Sequence, residues 1–120
     1  MPNTKRKPAF ESLSKHRLEF LIEQAVENAD EPEDQTAGFL AMFESNLELP
    51  FKTKRNGVEL TVSHLDISYA DCGAILATFE SGNQHSIMDI LDVPIPNDHP
   101  PEGWEWIEAY RYWVSKRRSA

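Results

Sequence analysis

Apolar residues first recur with a helical period. Leu18, Leu21, Ile22, Ala25, Val26 and Ala29 follow i, i+3, i+4, i+7, i+8, i+11. That spacing lines one face of an amphipathic helix and predicts a helix over 18–29. Phe20 falls off the stripe. Pro32 lies just beyond, so the helix is expected to end near Ala29. A second helix is predicted from about Glu33 to Leu47, with Phe39, Leu40, Met42, Phe43 and Leu47 as its apolar set. Its start has two candidate forms. Either Asp30 caps it with Glu33 three residues on, or Glu31 precedes Pro32 at the first helical position. Two helices joined by so short a bend make an αα-hairpin.

After Leu47 the period changes from helical to alternating. Val58, Leu60 and Val62 alternate with Glu59, Thr61 and Ser63, as on a half-buried strand. Asn56-Gly57 before them is a two-residue hairpin signal, because both central positions of a type I′ turn need positive φ. Ile75, Ala77 and Phe79 alternate in a third strand, between a turn at YADCG and another at SGN, and QHSIMDILDV supplies one more. About four strands predict a small antiparallel sheet, SH3-like or a partial barrel. VPIPNDHPPEG holds four of the eight prolines and should run extended. It leads into a last helix, WEWIEAYRYWVSK, where Trp106, Tyr110 and Trp113 form an aromatic stripe at i, i+4, i+7. Trp104, Ile107 and Val114 widen its apolar surface. The expected architecture is α+β: an N-terminal helical hairpin, the sheet, and a C-terminal helix.

The chain of 120 residues suits one domain. Residues 1–17 read as a basic, mobile tail and 18–116 as the domain. No apolar run approaches the ~20 residues a membrane span needs, and none follows the basic start as in a secretory signal. A single cysteine, Cys72, cannot form an internal disulfide. Together these predict a cytoplasmic protein without membrane contact.

Charge sharpens the picture. The formal net charge is −8, yet residues 18–114 carry −15, from 19 acids and four basics. The basic residues gather instead at the two ends of the chain. A body this acidic repels phosphate backbones, so the folded domain is not expected to bind nucleic acid. Five of the eight residues from Glu27 to Asp34 are acids: Glu27, Asp30, Glu31, Glu33 and Asp34. A helix N-terminus welcomes one or two. The others repel one another, and a hard divalent cation would relieve that. Calcium takes six to eight oxygens from carboxylates, amides and carbonyls. Asn28 adds an amide oxygen. The stretch is no EF-hand, for it lacks D-x-[DN]-x-[DN]-G. From residue types alone, helix cap and cation site stand level.

Motifs for catalysis are missing. Ser63, His64 and Asp66 hold the residue types of a hydrolase triad, but neighbours on a strand point to opposite faces. The four histidines, His16, His64, His85 and His99, have no zinc spacing, and no glycine-rich loop cradles a phosphate. No enzyme is predicted.

The order of segments adds a resemblance. An acidic bend, then DQTAGF, ESNLELPF, GVELTV, DILDVPIP and PPEGWEWIEAYRYW, resembles the CcbP-type calcium-binding family of bacterial proteins. The likeness runs from about Leu18 to Trp113. Gly38-Phe39, Leu49-Pro50-Phe51 and the closing EGWEWIEAYRYW are its most specific parts. It implies helices packed on a compact sheet and non-catalytic Ca²⁺ binding, as sensor or buffer. It also implies metal ligands in the bend: Asp30, Glu31, Glu33 and Asp34, with Asn28 as accessory. Glu44 and Glu48 form a second tier. Two alternatives use other surfaces: a protein-interaction module built on the C-terminal aromatic helix or a sheet edge, and an acidic decoy of a nucleic-acid-binding protein.

Overall fold

The computed structural model describes residues 13–68 and 73–119. Most of the basic tail and the YADCG turn, including Cys72, therefore lie outside the described residues. Helix α1 spans Lys15–Val26 and α2 spans Pro32–Asn46. Strands β1 Phe51–Arg55, β2 Val58–Ser68, β3 Ala74–Ser81 and β4 Gln84–Asp89 follow, then a 3-10 turn at Ile90–Asp92 and helix α3 at Trp104–Ser119. This is the expected α+β order.

α3 runs to Ser119, three residues past the expected end at Lys116, and three further boundaries differ from the sequence reading. α1 starts at Lys15, because the Ser14 hydroxyl oxygen accepts from the Arg17 N–H at 3.0 Å and caps the helix. Lys15, His16 and Arg17 thus belong to the domain. α1 stops at Val26, because Asn28 adopts φ 66°, a left-handed conformation that asparagine tolerates and that ends a helix. The fourth strand stops at Asp89, whose carboxylate accepts from the Leu91 N–H at 2.9 Å and starts the 3-10 turn.

The sheet is an antiparallel meander in the order β1-β2-β3-β4. Asn56 and Gly57 both take positive φ, 54° and 81°, as the I′ turn between β1 and β2 requires. Val62 pairs with Phe79 but His64 pairs with Thr78, so Ser63 is an extra residue on β2. This bulge changes which residues face inward. Strict alternation after Val62 would turn His64 and Asp66 to the core. The extra residue lets Val62 and Leu65 both be buried instead. β1 and β4 do not pair, so the sheet is open. Its edges still lean together: Arg55 Nη1 lies 4.0 Å from Met88 Sδ, and the Thr53 hydroxyl donates to the Pro94 carbonyl at 2.7 Å.

The helices form a layer on the inward face of the sheet. Phe39 and Phe43 of α2 are fully buried, as are Val62, Ile75 and Ile107. Burying each such side chain contributes ~1.5–3 kcal/mol. The aromatic stripe of α3 closes onto α2. The Phe39 ring lies 5.3 Å from that of Tyr110 and 5.0 Å from that of Trp113, and Phe43 packs edge-on to Tyr110 at 6.0 Å. Gly38 allows α1 to approach α2 closely, since a Cβ there would overlap the Ala25 carbonyl oxygen. Phe20, off the stripe, is half exposed beneath the Arg17 guanidinium, 5.5 Å from its ring centroid.

Candidate functional site

The acidic bend joins α1 to α2. Ala29 N–H donates to the Val26 carbonyl at 2.9 Å and tightens the chain where α1 ends. Pro32 occupies the first helical turn of α2, and a residue before proline is held extended. Glu31 obeys, with φ −92° and ψ 147°, and is the N-cap. Of the two expected starts, the Glu31-Pro32 form is therefore the one adopted. Asp30 is pushed one residue outside the capping position, and the Asp30–Glu33 capping box does not form. Glu31 itself makes no side-chain cap bond.

Gln35 holds the bend instead. Its backbone N–H donates to the Glu31 carbonyl at 2.9 Å, and its side-chain Nε2 donates back to the Ala29 carbonyl at 3.0 Å. One residue on, the buried Thr36 hydroxyl donates to the Pro32 carbonyl at 3.0 Å. Neither residue stands out in the sequence. A polar residue placed to serve a backbone carbonyl six positions away has no period to reveal it.

The carboxylates themselves point to solvent. Glu27, Asp30, Glu31, Glu33 and Asp34 are all exposed, as is Asn28. None forms an ion pair among the described residues, where the two ion pairs are His85–Glu80 and Arg111–Glu108. Glu33 and Asp34 sit in the first turn of α2, where the helix dipole favours negative charge. The bend therefore gathers oxygen donors of the kind a hard cation takes, with no ion pair to any of them among the described residues. It does not gather them into a cage: among the described residues, no three of His, Cys, Asp and Glu converge as metal ligands. The second-tier acids lie elsewhere. Glu44 is exposed on α2. Glu48 accepts from the Glu102 backbone N–H at 3.1 Å, while its own N–H donates to the Glu102 carbonyl at 2.8 Å. That reciprocal pair clips the end of α2 to the approach of α3.

The triad residue types stay apart in role. Ser63 is the bulged residue and its hydroxyl donates to the Thr78 carbonyl at 3.4 Å. His64 is exposed on the outer face, and the Asp66 carboxylate accepts from the Ile67 N–H at 2.8 Å.

The aromatic stripe of α3 faces inward. Trp106, Tyr110 and Trp113 are buried. Arg111, on the same helix, has no signature in the sequence. Its Nη2 donates to the carbonyls of Ile90 (3.2 Å) and Val93, and its Nη1 meets Glu108 Oε2 at 3.1 Å. Burial pulls its pKa below the usual arginine value, and Glu108 beside it opposes that shift. The role is structural: one side chain ties the 3-10 turn to α3.

An open groove of about 810 Å³ runs between β1 and the proline-rich segment. Lys52 and Lys54 line it together with Glu48, Glu59 and Asp98, so its charges are mixed and nearly balanced. No helix among the described residues is long and apolar enough to cross a membrane. Comparison of the chain with protein-family models, curated proteins and solved structures gives no match.

Proposed function

We propose that this domain is a non-catalytic calcium-binding protein, a sensor or buffer, and that the bend between α1 and α2 receives the ion. The observation that carries the reading is the set of five exposed bend acids, none with a cationic partner among the described residues. The net −15 of residues 18–114 draws cations toward the body as a whole. The order of segments, similar to that of CcbP-type proteins, points the same way. Asp30, Glu31, Glu33 and Asp34 would hold the ion, with Asn28 as a neutral oxygen donor.

A bound divalent ion would supply positive charge that offsets carboxylate repulsion across the bend. The protein supplies a fixed backbone, pinned by Gln35 and Pro32, on which flexible side chains can close. Closing them costs ~0.5–1.5 kcal/mol per ordered side chain. Four side chains together would cost about 2–6 kcal/mol, enough to weaken binding by roughly 30-fold to 10⁴-fold. Weak affinity follows, with a Kd of about 10⁻⁴–10⁻³ M, at the weak end of calcium sites, where ligand charge and site rigidity set the affinity.

Calorimetric titration of the metal-free protein with Ca²⁺, in physiological salt and with Mg²⁺ present, tests this. Saturable binding that Asp30→Asn with Asp34→Asn weakens sharply is the expected result. Unchanged affinity in that double variant sinks the assignment of the bend. The absence of saturable heat, with a melting temperature indifferent to calcium, sinks the function.

A further inference from the structure

The two edges of the sheet, unpaired in backbone though Arg55 of β1 reaches Met88 of β4, differ in kind. β1 carries Lys52 and Lys54, with Arg55 beside them, three of the four basic residues between 18 and 114. Two copies meeting along β1 would set lysines close to lysines, and like charges across a strand pair are destabilising. Lysines on an edge are a common guard against such pairing. β4, Gln84-His85-Ser86-Ile87-Met88-Asp89, contains no lysine, arginine or proline. Its first four residues are exposed, and Ile87 retains 61% of its surface.

Register decides which backbone groups of β4 are free. β3 and β4 join through the two-residue turn Gly82-Asn83, closed by Ser81 opposite Gln84. The closing pair of such a turn exchanges both hydrogen bonds, and bonded pairs then recur at every second residue. Gln84, Ser86 and Met88 therefore bond β3. The N–H and C=O groups of His85 and Ile87, and the N–H of Asp89, point to the open edge, while the Asp89 carbonyl opens the 3-10 turn that this residue caps. Among the described residues no turn or loop backbone bond meets those edge groups.

We propose that β4 is a self-complementary edge, to which a second copy of this chain adds antiparallel with Ile87 opposite Ile87. The side chains select that register. His85, Ile87 and Asp89 share the outer face, since Ile87 pairs with Thr78, whose neighbours Ala77 and Phe79 face the core. With Ile87 on the twofold axis, each His85 stands opposite an Asp89. The contact is then an apolar pair flanked by two imidazole–carboxylate pairs, in which each Asp89 keeps Oδ1 on its own Leu91 N–H and offers Oδ2. A shift by two residues in one direction sets Ile87 against His85, and in the other against Asp89. A shift by one residue aims the free backbone groups away from their partners. His85 also lies 3.5 Å from Glu80 on its own sheet, which holds the imidazole over the outer face.

A twofold contact of this kind closes at two copies and joins two sheets into one. A lone strand pair buries less than the ~1,600 Å² of a standard interface, so the dimer forms only at high protein concentration. Physiological salt, with a Debye length of ~8 Å, screens the net negative charge of the two bodies.

Analytical ultracentrifugation of the full chain, from about 10 µM to about 1 mM in that salt, is the test; the range brackets a weak interface. The mass should rise from monomer to dimer and no further. Ile87→Lys, at an exposed position, should weaken the dimer about tenfold or more with unchanged circular dichroism. His85→Asp, which opposes two carboxylates, should weaken it as well. Lys52→Ser on the other edge should leave it intact. A monomer throughout, a mass that grows past the dimer, or association indifferent to Ile87→Lys and His85→Asp overturns the proposal.

Discussion

Gly38 of α2 faces the carbonyl of Ala25 on α1 so closely that a single added carbon at residue 38 would overlap that oxygen. The obstacle is backbone, which cannot rotate away as a side chain would. Gly38→Ala should therefore destabilise the domain, although alanine is the better helix former by ~1 kcal/mol. Overpacking costs up to ~3 kcal/mol, leaving a net loss of about 2 kcal/mol, read from the urea midpoint. An unchanged or raised midpoint would mean that α1 and α2 can separate at this crossing at no cost.

The cap of α2 offers a gain. Glu31 is the N-cap but makes no side-chain bond to the helix. Glu31→Ser puts a hydroxyl where it can accept from the first-turn N–H groups. Stability should rise by about 1 kcal/mol in thermal or urea unfolding. The same variant removes one proposed ligand, so it should also weaken calcium binding. A carboxylate that serves only as local charge would give the first effect without the second.

Phe39 has no exposed surface and touches both Tyr110 and Trp113. Phe39→Ala should cost ~3–5 kcal/mol, near the whole stability of many small domains. Loss of cooperative unfolding, seen as loss of near-ultraviolet dichroism from Trp113 and its neighbours, is the expected signature. Phe39→Leu keeps most of the volume and should remain folded, with a smaller loss.

Arg111 binds the backbone carbonyls of Ile90 and Val93, and pairs with Glu108. Arg111→Ala leaves these two carbonyls without their donor and takes the guanidinium away from the largely buried Glu108 carboxylate. The expected loss is about 2–4 kcal/mol, measured by denaturant unfolding. Glu108→Gln keeps a neutral acceptor for the guanidinium and should cost less.

Much of this architecture is legible in the sequence because burial leaves a period. The stripe from Leu18 to Val26 yields α1, and the alternation of Val58, Leu60 and Val62 yields the start of β2. Asn56-Gly57 marks its hairpin, since few other pairs accept two positive φ angles. What escapes has no period. Asn28 ends α1 three residues early through one left-handed dihedral. Ser63 turns Leu65 inward by adding one residue to one strand. Gln35, Thr36 and Arg111 satisfy carbonyls whose positions exist only once the chain has folded. The bend is legible as charge but not as geometry: eight residues rich in carboxylates do not state whether those carboxylates face one another.

The clip between Glu48 and Glu102 spans 54 positions of chain, and the whole sheet lies between its two ends. The helical layer is thus assembled from both sides of an intervening meander. During synthesis α1 and α2 emerge first, with Phe39 and Phe43 lacking the rings of Tyr110 and Trp113 that cover them. Translation at ~5–20 residues per second delays α3 by several seconds. Until α3 arrives, the side of α2 that carries Phe39 and Phe43 lacks the rings that cover it in the folded domain.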